Sequence, residues 1–137
     1  MILVDTNVWS ELTRPLPDPA VKHWEARNSP QLWLSTIVIG ELFSGANMLP
    51  DGKRKLSFLD GYDALIALHQ DRILGFDEVS ARRYGEVLAF LEKTGRNPTT
   101  TDAQIAATAL AHEMTLATRN VKDFAGLGIG LLNPWEA

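Results

Sequence analysis

The chain contains no cysteine. Disulfides and thiolate metal sites are therefore excluded, and a reducing cytoplasm is the expected home. It also lacks a long apolar run: no stretch approaches the roughly 18 apolar residues that a membrane-spanning helix needs. The apolar start is interrupted by Asp5 and Glu11 with no basic segment before it, so it does not read as a signal peptide. There is no excess of positive charge either, since 13 Lys and Arg against 17 Asp and Glu leave a formal charge of -4. A protein that coats nucleic acid regardless of sequence takes its affinity from phosphate neutralisation and is normally basic. That class is disfavoured. An enzyme that reaches phosphates through a metal ion stays open, because carboxylates gathered at one site lower the net charge without preventing phosphate contacts elsewhere.

Other chemistries lack their patterns. His23, His69 and His112 fall in separate segments with no metal-ligand spacing, so solvated or partly buried positions are expected. Ser10, Ser35 and Ser44 show no nucleophile-elbow pattern. The glycines of "GLGIG" do not open a helix after a strand, which argues against dinucleotide binding. Trp9, Trp24, Trp33 and Trp135 read as core or interface anchors rather than base-stacking platforms.

What is present is an alternation of short apolar runs and longer segments of helical period. At 137 residues, with 45% hydrophobic content, the chain can bury one core, and residues 1–137 are read as a single domain. "MILV" at 1–4, "LWL" at 32–34, "ILGF" at 73–76, "TLAT" at 115–118 and "GLL" at 130–132 read as strands. Asp18-Pro19 opens a helix over "AVKHWEARN", and "TIVIGELFSGANML" follows the second strand. Further helices are expected from Lys53 to His69 and from Asp77 to Thr94. The latter carries Tyr84, Val87, Leu88 and Leu91 on one face and stops at Gly95. Thr101 with Gln104 reads as a capping box opening an Ala-rich helix. Strands alternating with helices imply an α/β fold, a mostly parallel sheet of about five short strands flanked by α-helices.

In such sheets ligands sit beyond the C-terminal ends of the strands, where Asp5 follows the first run. Glu41 lies within the helix after the second strand, amid apolar neighbours. Asp102 is in the first turn of the Ala-rich helix, and Asn120 and Asp123 follow the "TLATR" strand. Clustered carboxylates repel unless protonated or bridged by a cation, and oxygen-only ligands suit Mg²⁺ or Mn²⁺. Such an ion can activate water for displacement at a phosphodiester. Each residue also has a plain structural reading. Asp5 can cap the first helix, Asp102 can answer its helix dipole, Glu41 and Asp123 can be solvated, and Asn120 can serve a turn. A phosphoacceptor signalling domain would want paired acids after the first strand and a lysine after a late one; the chain has one acid and "TRN" there.

"MILVDTNVWSEL", "IVIGEL" and "TDAQIAATALAHEMTLATRNVKDF", in that order, together with the closing "LLNPW", resemble PIN-domain ribonucleases, specifically VapC-type toxins and their FitB-like relatives. The resemblance implies a PIN fold and an endoribonuclease site holding Mg²⁺ or Mn²⁺. Asp5, Glu41 and Asp102 match the three acidic motif positions and would be its metal ligands, with Asn120 at the fourth position, where the family often has aspartate. Asp123 is the substitute for that position, and Thr6 and Thr118 are accessory hydroxyls for water or phosphate. It further implies a small VapB-like antitoxin, DNA-binding, whose arginine would suit the acidic site, and a homodimer or toxin–antitoxin hetero-oligomer. The alternative is a FitB-like subunit of a complex that binds operator DNA with little cleavage. Leu42, Phe43, Leu49, Phe58 and Leu59 are candidates for a partner groove, and Lys53, Arg54, Lys55, Arg82, Arg83, Arg96 and Arg119 for phosphate contacts.

Overall fold

The apolar run at the start forms a strand because it is buried on both sides. In the computed structural model, which describes all 137 residues, β1 (Ile2–Val4) lies at the centre of the sheet with every residue buried. Such strands read as continuous rather than alternating apolar runs, since helices cover both faces of a parallel sheet. β2 (Leu32–Ser35) and β4 (Thr115–Ala117) flank β1 in parallel, with Ile2 opposite Leu32 and Leu3 opposite Leu116. β3 (Ile73–Leu74) pairs outside β2, and β5 (Leu131–Leu132) outside β4. The order is β3-β2-β1-β4-β5. The chain therefore reverses its direction of travel across the sheet between β1 and β4, and the ends of these strands frame the crevice where such folds place ligands.

Six helices join the strands: α1 (Thr6–Leu12), α2 (Pro19–Asn28), α3 (Thr36–Asn47), α4 (Lys53–Leu68), α5 (Glu78–Lys93) and α6 (Thr100–Ala111). Asp18 caps α2 by accepting from the Ala20 N–H at 2.8 Å, with Pro19 at the first helical position as expected. The five strands all form at the expected places; four are trimmed by a residue or two at their ends, and β2 runs one residue further, to Ser35. Trp9 and Trp24 are fully buried core anchors, while Trp33 and Trp135 pack against the core from partly buried positions. His69 is buried rather than solvated: its Nδ1 donates to the Leu65 carbonyl at 2.8 Å and its ring meets the Trp9 ring edge-on at 5.0 Å.

α5 stops where Gly95 was expected to stop it, and the mechanism is visible. Gly95 takes a φ of 72°, its N–H reaches the Glu92 carbonyl at 3.1 Å, and the Arg96 N–H reaches back to the Leu91 carbonyl at 2.8 Å. These are the two bonds of a Schellman ending, which requires a left-handed residue. The turn aims the next side chain, Arg96, across the molecule.

The start of α6 corrects one expectation. Its cap is Thr99, whose hydroxyl accepts from the Asp102 N–H at 3.1 Å, and the helix begins at Thr100. Thr101 is inside the helix and does not cap. Three consecutive threonines offered three registers, and Pro98 immediately before them favours the earliest, because the residue after proline's extended segment can turn first into the helix. Ala103, Ala106, Ala107 and Ala109 are buried, and their small side chains let α6 lie close beneath α5.

Candidate active site

Asp5 follows β1 directly and is 3% exposed. One carboxylate oxygen accepts from the Thr6 N–H at 2.8 Å, so the residue does cap α1. The other accepts from the Thr118 hydroxyl at 2.7 Å and from the Asn7 amide at 3.4 Å. Thr118 directly follows β4, and its hydroxyl in turn accepts from the Asn120 N–H at 3.1 Å. The capping and functional readings of Asp5 are thus compatible: its side chain joins β1, α1 and the end of β4 at the crevice.

Burial pushes the Asp5 carboxyl from its ordinary 3.8 up to about 6. The Thr118 and Thr6 hydrogen bonds work against that rise, whereas the negative charges of Asp102 and Glu41 add to it. Asp102, half-buried in the first turn of α6, is also raised. Burial is the main cause, the Thr99 hydroxyl opposes it, and Glu41 and Asp123 reinforce it. Asp5 and Asp102 are therefore the two acids perturbed here, Asp5 by Asp102 and Glu41, and Asp102 by Glu41 and Asp123. A carboxylate that is buried beside like charges is stabilised by a cation or a proton.

Glu41 is held where the sequence could not place it. From α3 its carboxylate accepts the Thr6 hydroxyl at 2.5 Å and the Thr101 hydroxyl at 2.8 Å, bridging α1 and α6. Thr101 is the residue that sequence reasoning had spent on a cap. Its position one turn ahead of Ile105 on α6 was the only signal that it could face inward. Asn7 was missed as well; besides touching Asp5, its side-chain oxygen accepts the Arg119 N–H at 3.3 Å. No three acidic or histidine side chains lie close enough to ligate one ion directly. Magnesium keeps several of its waters and needs few protein ligands, so an all-oxygen set of spaced carboxylates fits a hard divalent ion.

Asn120 heads the 3₁₀ turn Val121–Phe124 and its side chain caps nothing. Asp123, within that turn, is the member that acts electrostatically on Asp102. The turn is fastened by Arg96, whose guanidinium donates to the carbonyls of Ala125 at 2.5 Å, Asp123 at 2.6 Å and Lys122 at 3.2 Å. Three of the five N–H donors of Arg96 are thus spent on this turn, which gives it a structural role rather than that of a phosphate contact. Arg82 and Arg83 are paired with Glu78 and Glu86, and Lys55 with Asp51. Arg96→Gln is expected to lower the melting temperature by about 5 °C, a loss of about 2 kcal/mol in charge-assisted bonds. Arg96→Lys should recover only part of it, because one ammonium cannot span three carbonyls. Unchanged melting in both variants would mean that the turn holds without the arginine.

The partner-groove candidates divide similarly. Leu42, though buried in the core, lines a cleft of about 210 Å³ together with Leu49, Phe58, Tyr62 and Glu41. Phe43 lies edge-on to Tyr62 at 5.8 Å.

The model of the PIN domain family matches residues 2–128. The chain belongs to the PIN domain family. The chain is 41% identical to the VapC ribonuclease Y4jK of Sinorhizobium fredii over 140 residues, covering 99% of each. Among solved structures it is similar to FitAcB from Neisseria gonorrhoeae, with a TM-score of 0.89, 35% identity and full coverage of both chains. It is also similar to FitAB bound to an IR36 DNA fragment, with a TM-score of 0.88 and 36% identity over 98% of this chain and 96% of that one. No helix of this PIN domain is long and apolar enough to cross a membrane.

Proposed function

We propose that this chain, residues 1–137 forming one PIN domain, is the toxin of a type II toxin–antitoxin module. It is a cytoplasmic endoribonuclease that hydrolyses RNA phosphodiesters with Mg²⁺ or Mn²⁺. One observation carries the reading: a carboxylate buried at the crevice, Asp5, whose pKa is lifted to about 6, chiefly by burial and in smaller part by the charges of Asp102 and Glu41. A purely structural cap has no reason to sit among like charges. Kinship with a VapC ribonuclease supports the same conclusion.

Asp5, Asp102 and Glu41, too widely spaced to ligate one ion all directly, would hold it together with its retained waters; when bound, the ion supplies Lewis-acid polarisation of the phosphate and acidifies a water. Thr118 and the Thr6 N–H fix the Asp5 carboxylate in one orientation. The Thr6 and Thr101 hydroxyls steady Glu41 between α1 and α6. Asn120 offers a neutral oxygen beyond β4, and Asp123 a charged one beside Asp102. The proposed partner is a small VapB-like antitoxin, in a homodimer or a toxin–antitoxin hetero-oligomer. An arginine from it would pair with these carboxylates in a bidentate fork.

Similarity to FitAB bound to DNA favours a second reading, a subunit that serves mainly in an operator-binding complex. One experiment separates the two. Partner-free protein is incubated with total RNA in Mg²⁺, Mn²⁺ or EDTA, beside Asp5→Asn. Discrete metal-dependent products, lost in the variant, are expected. Intact RNA with folded wild-type protein would sink the nuclease reading and leave the operator complex.

A further inference from the structure

Beside the carboxylates, on the α1 side, lies a second cleft of about 450 Å³ with Asn7, Arg14, Arg54, Phe58, Arg119 and Trp135 in its wall. It is positively charged in a protein of formal charge -4. Its one acid, Glu11, is 8% exposed and already engaged, by the Arg14 guanidinium at 3.2 Å and the Asp18 N–H at 3.0 Å.

Arg54 and Arg119 differ from the other arginines discussed above. Neither has an acidic partner; each instead lies over an aromatic ring. The Arg119 guanidinium is 4.7 Å from the Trp135 ring centroid, and that of Arg54 is 5.8 Å from that of Phe58. A ring face attracts a cation and holds it in place. Unlike a carboxylate, it does not neutralise the charge or occupy the N–H donors. Two cations are thus positioned and left available, the arrangement that suits an anionic ligand with oxygen acceptors.

The cleft is continuous with the acidic site. Asn7 lines it while its amide donates to Asp5, and the Arg119 backbone N–H donates back to the Asn7 side chain. A chain of phosphates seated over Arg54 and Arg119 would lead directly to the carboxylates.

We propose that this cleft is a binding subsite for the phosphate backbone of single-stranded RNA. Arg119 and Arg54 take the phosphates, and the Trp135–Arg119 stack offers a flat surface to a base. The assignment rests on the ribonuclease reading and adds to it the side from which the strand approaches. Charge complementarity and continuity with the acids favour RNA over an acidic protein segment, which the same arginines would also attract.

The test uses full-length Asp5→Asn protein in EDTA, which binds without cleaving, and a fluorescein-labelled oligouridine of about 12 nucleotides. Adding Arg119→Gln or Arg54→Gln is expected to weaken binding about tenfold. Each should also flatten the slope of log affinity against log salt by roughly 0.7, the loss of one phosphate contact on a single strand. Arg82→Gln, on α5, should bind like the parent. Circular dichroism melts confirm that each variant is folded. Parent-like binding by both arginine variants, or an equal loss in Arg82→Gln, would overturn the subsite. So would arginine-dependent capture of a labelled oligoglutamate by protein that ignores the RNA. Metal-dependent cleavage by wild type alongside arginine-independent binding would sink the subsite and spare the nuclease. Arginine-dependent RNA binding with no cleavage would do the reverse.

Discussion

Asp5→Asn is expected to leave the protein folded, to raise its melting temperature at about pH 8 in EDTA by about 3–8 °C, and to cut metal-dependent cleavage about a thousandfold or more. The stability gain follows from the sign of the titration. The Asp5 carboxyl is 3.8 ordinarily and about 6 in the fold. Its contribution to stability is fully present below about 3.8, where it is protonated in both states, and is lost as pH rises through about 6. At about 1.4 kcal/mol per pH unit, the wild type carries a cost of about 3 kcal/mol above that range in the absence of metal. Asparagine removes the charge but loses one acceptor for the Thr118 hydroxyl, which returns about 1 kcal/mol. The net gain is about 1–2 kcal/mol, and the melting temperature of the variant should be flatter between about pH 4 and pH 7. A fall of many degrees at any pH would show that capping α1 outweighs the charge, and would remove the motive for a cation at Asp5.

Millimolar Mg²⁺ or Mn²⁺ is expected to stabilise the wild type by about 2–3 kcal/mol, or roughly 5–10 °C, and Asp102→Asn to abolish most of that gain. In EDTA the same variant should melt within about 3 °C of wild type, because the cap of α6 runs through the Asp102 backbone N–H to Thr99 and not through its carboxylate. Cleavage should fall by about a hundredfold or more. The two readouts protect the inference from circularity: the melt reports metal binding with no substrate present. Equal metal stabilisation in wild type and variant would mean that the ion sits elsewhere and that Asp102 is a helix-start charge only.

The resemblance between "MILVDTN", "IVIGEL" and "TDAQIA" and the PIN motifs pointed to the same three acids that the fold brings within electrostatic reach. The strands were legible because each is a short apolar run bounded by polar residues, and α5 because its apolar residues recur at helical spacing and end at Gly95. The candidate phosphate contacts were not legible as a group. Arg82, Arg83, Arg96 and Arg119 look alike in sequence, yet two are paired with glutamates, one fastens a turn, and one lies over a tryptophan. A cation's partner depends on what is brought near it in space, and a long flexible side chain carries no periodic trace of that choice.

The same boundary runs through the active site. Local chemistry determined that Asp5 would end a buried strand and cap a helix, that Gly95 would stop α5, and that one cysteine-free chain would fold as α/β. These outcomes depend on neighbours a few residues away, through backbone hydrogen bonds and burial of adjacent side chains. Only the tertiary structure decided that Thr118, 113 residues from Asp5, would hold its carboxylate, and that Thr101, 60 residues from Glu41, would steady the other acid instead of capping a helix. Those bonds exist because β1 and β4 are neighbours in the sheet and α3 and α6 pack against each other. Strand order is set by how the whole core packs, and no short stretch of the chain encodes it.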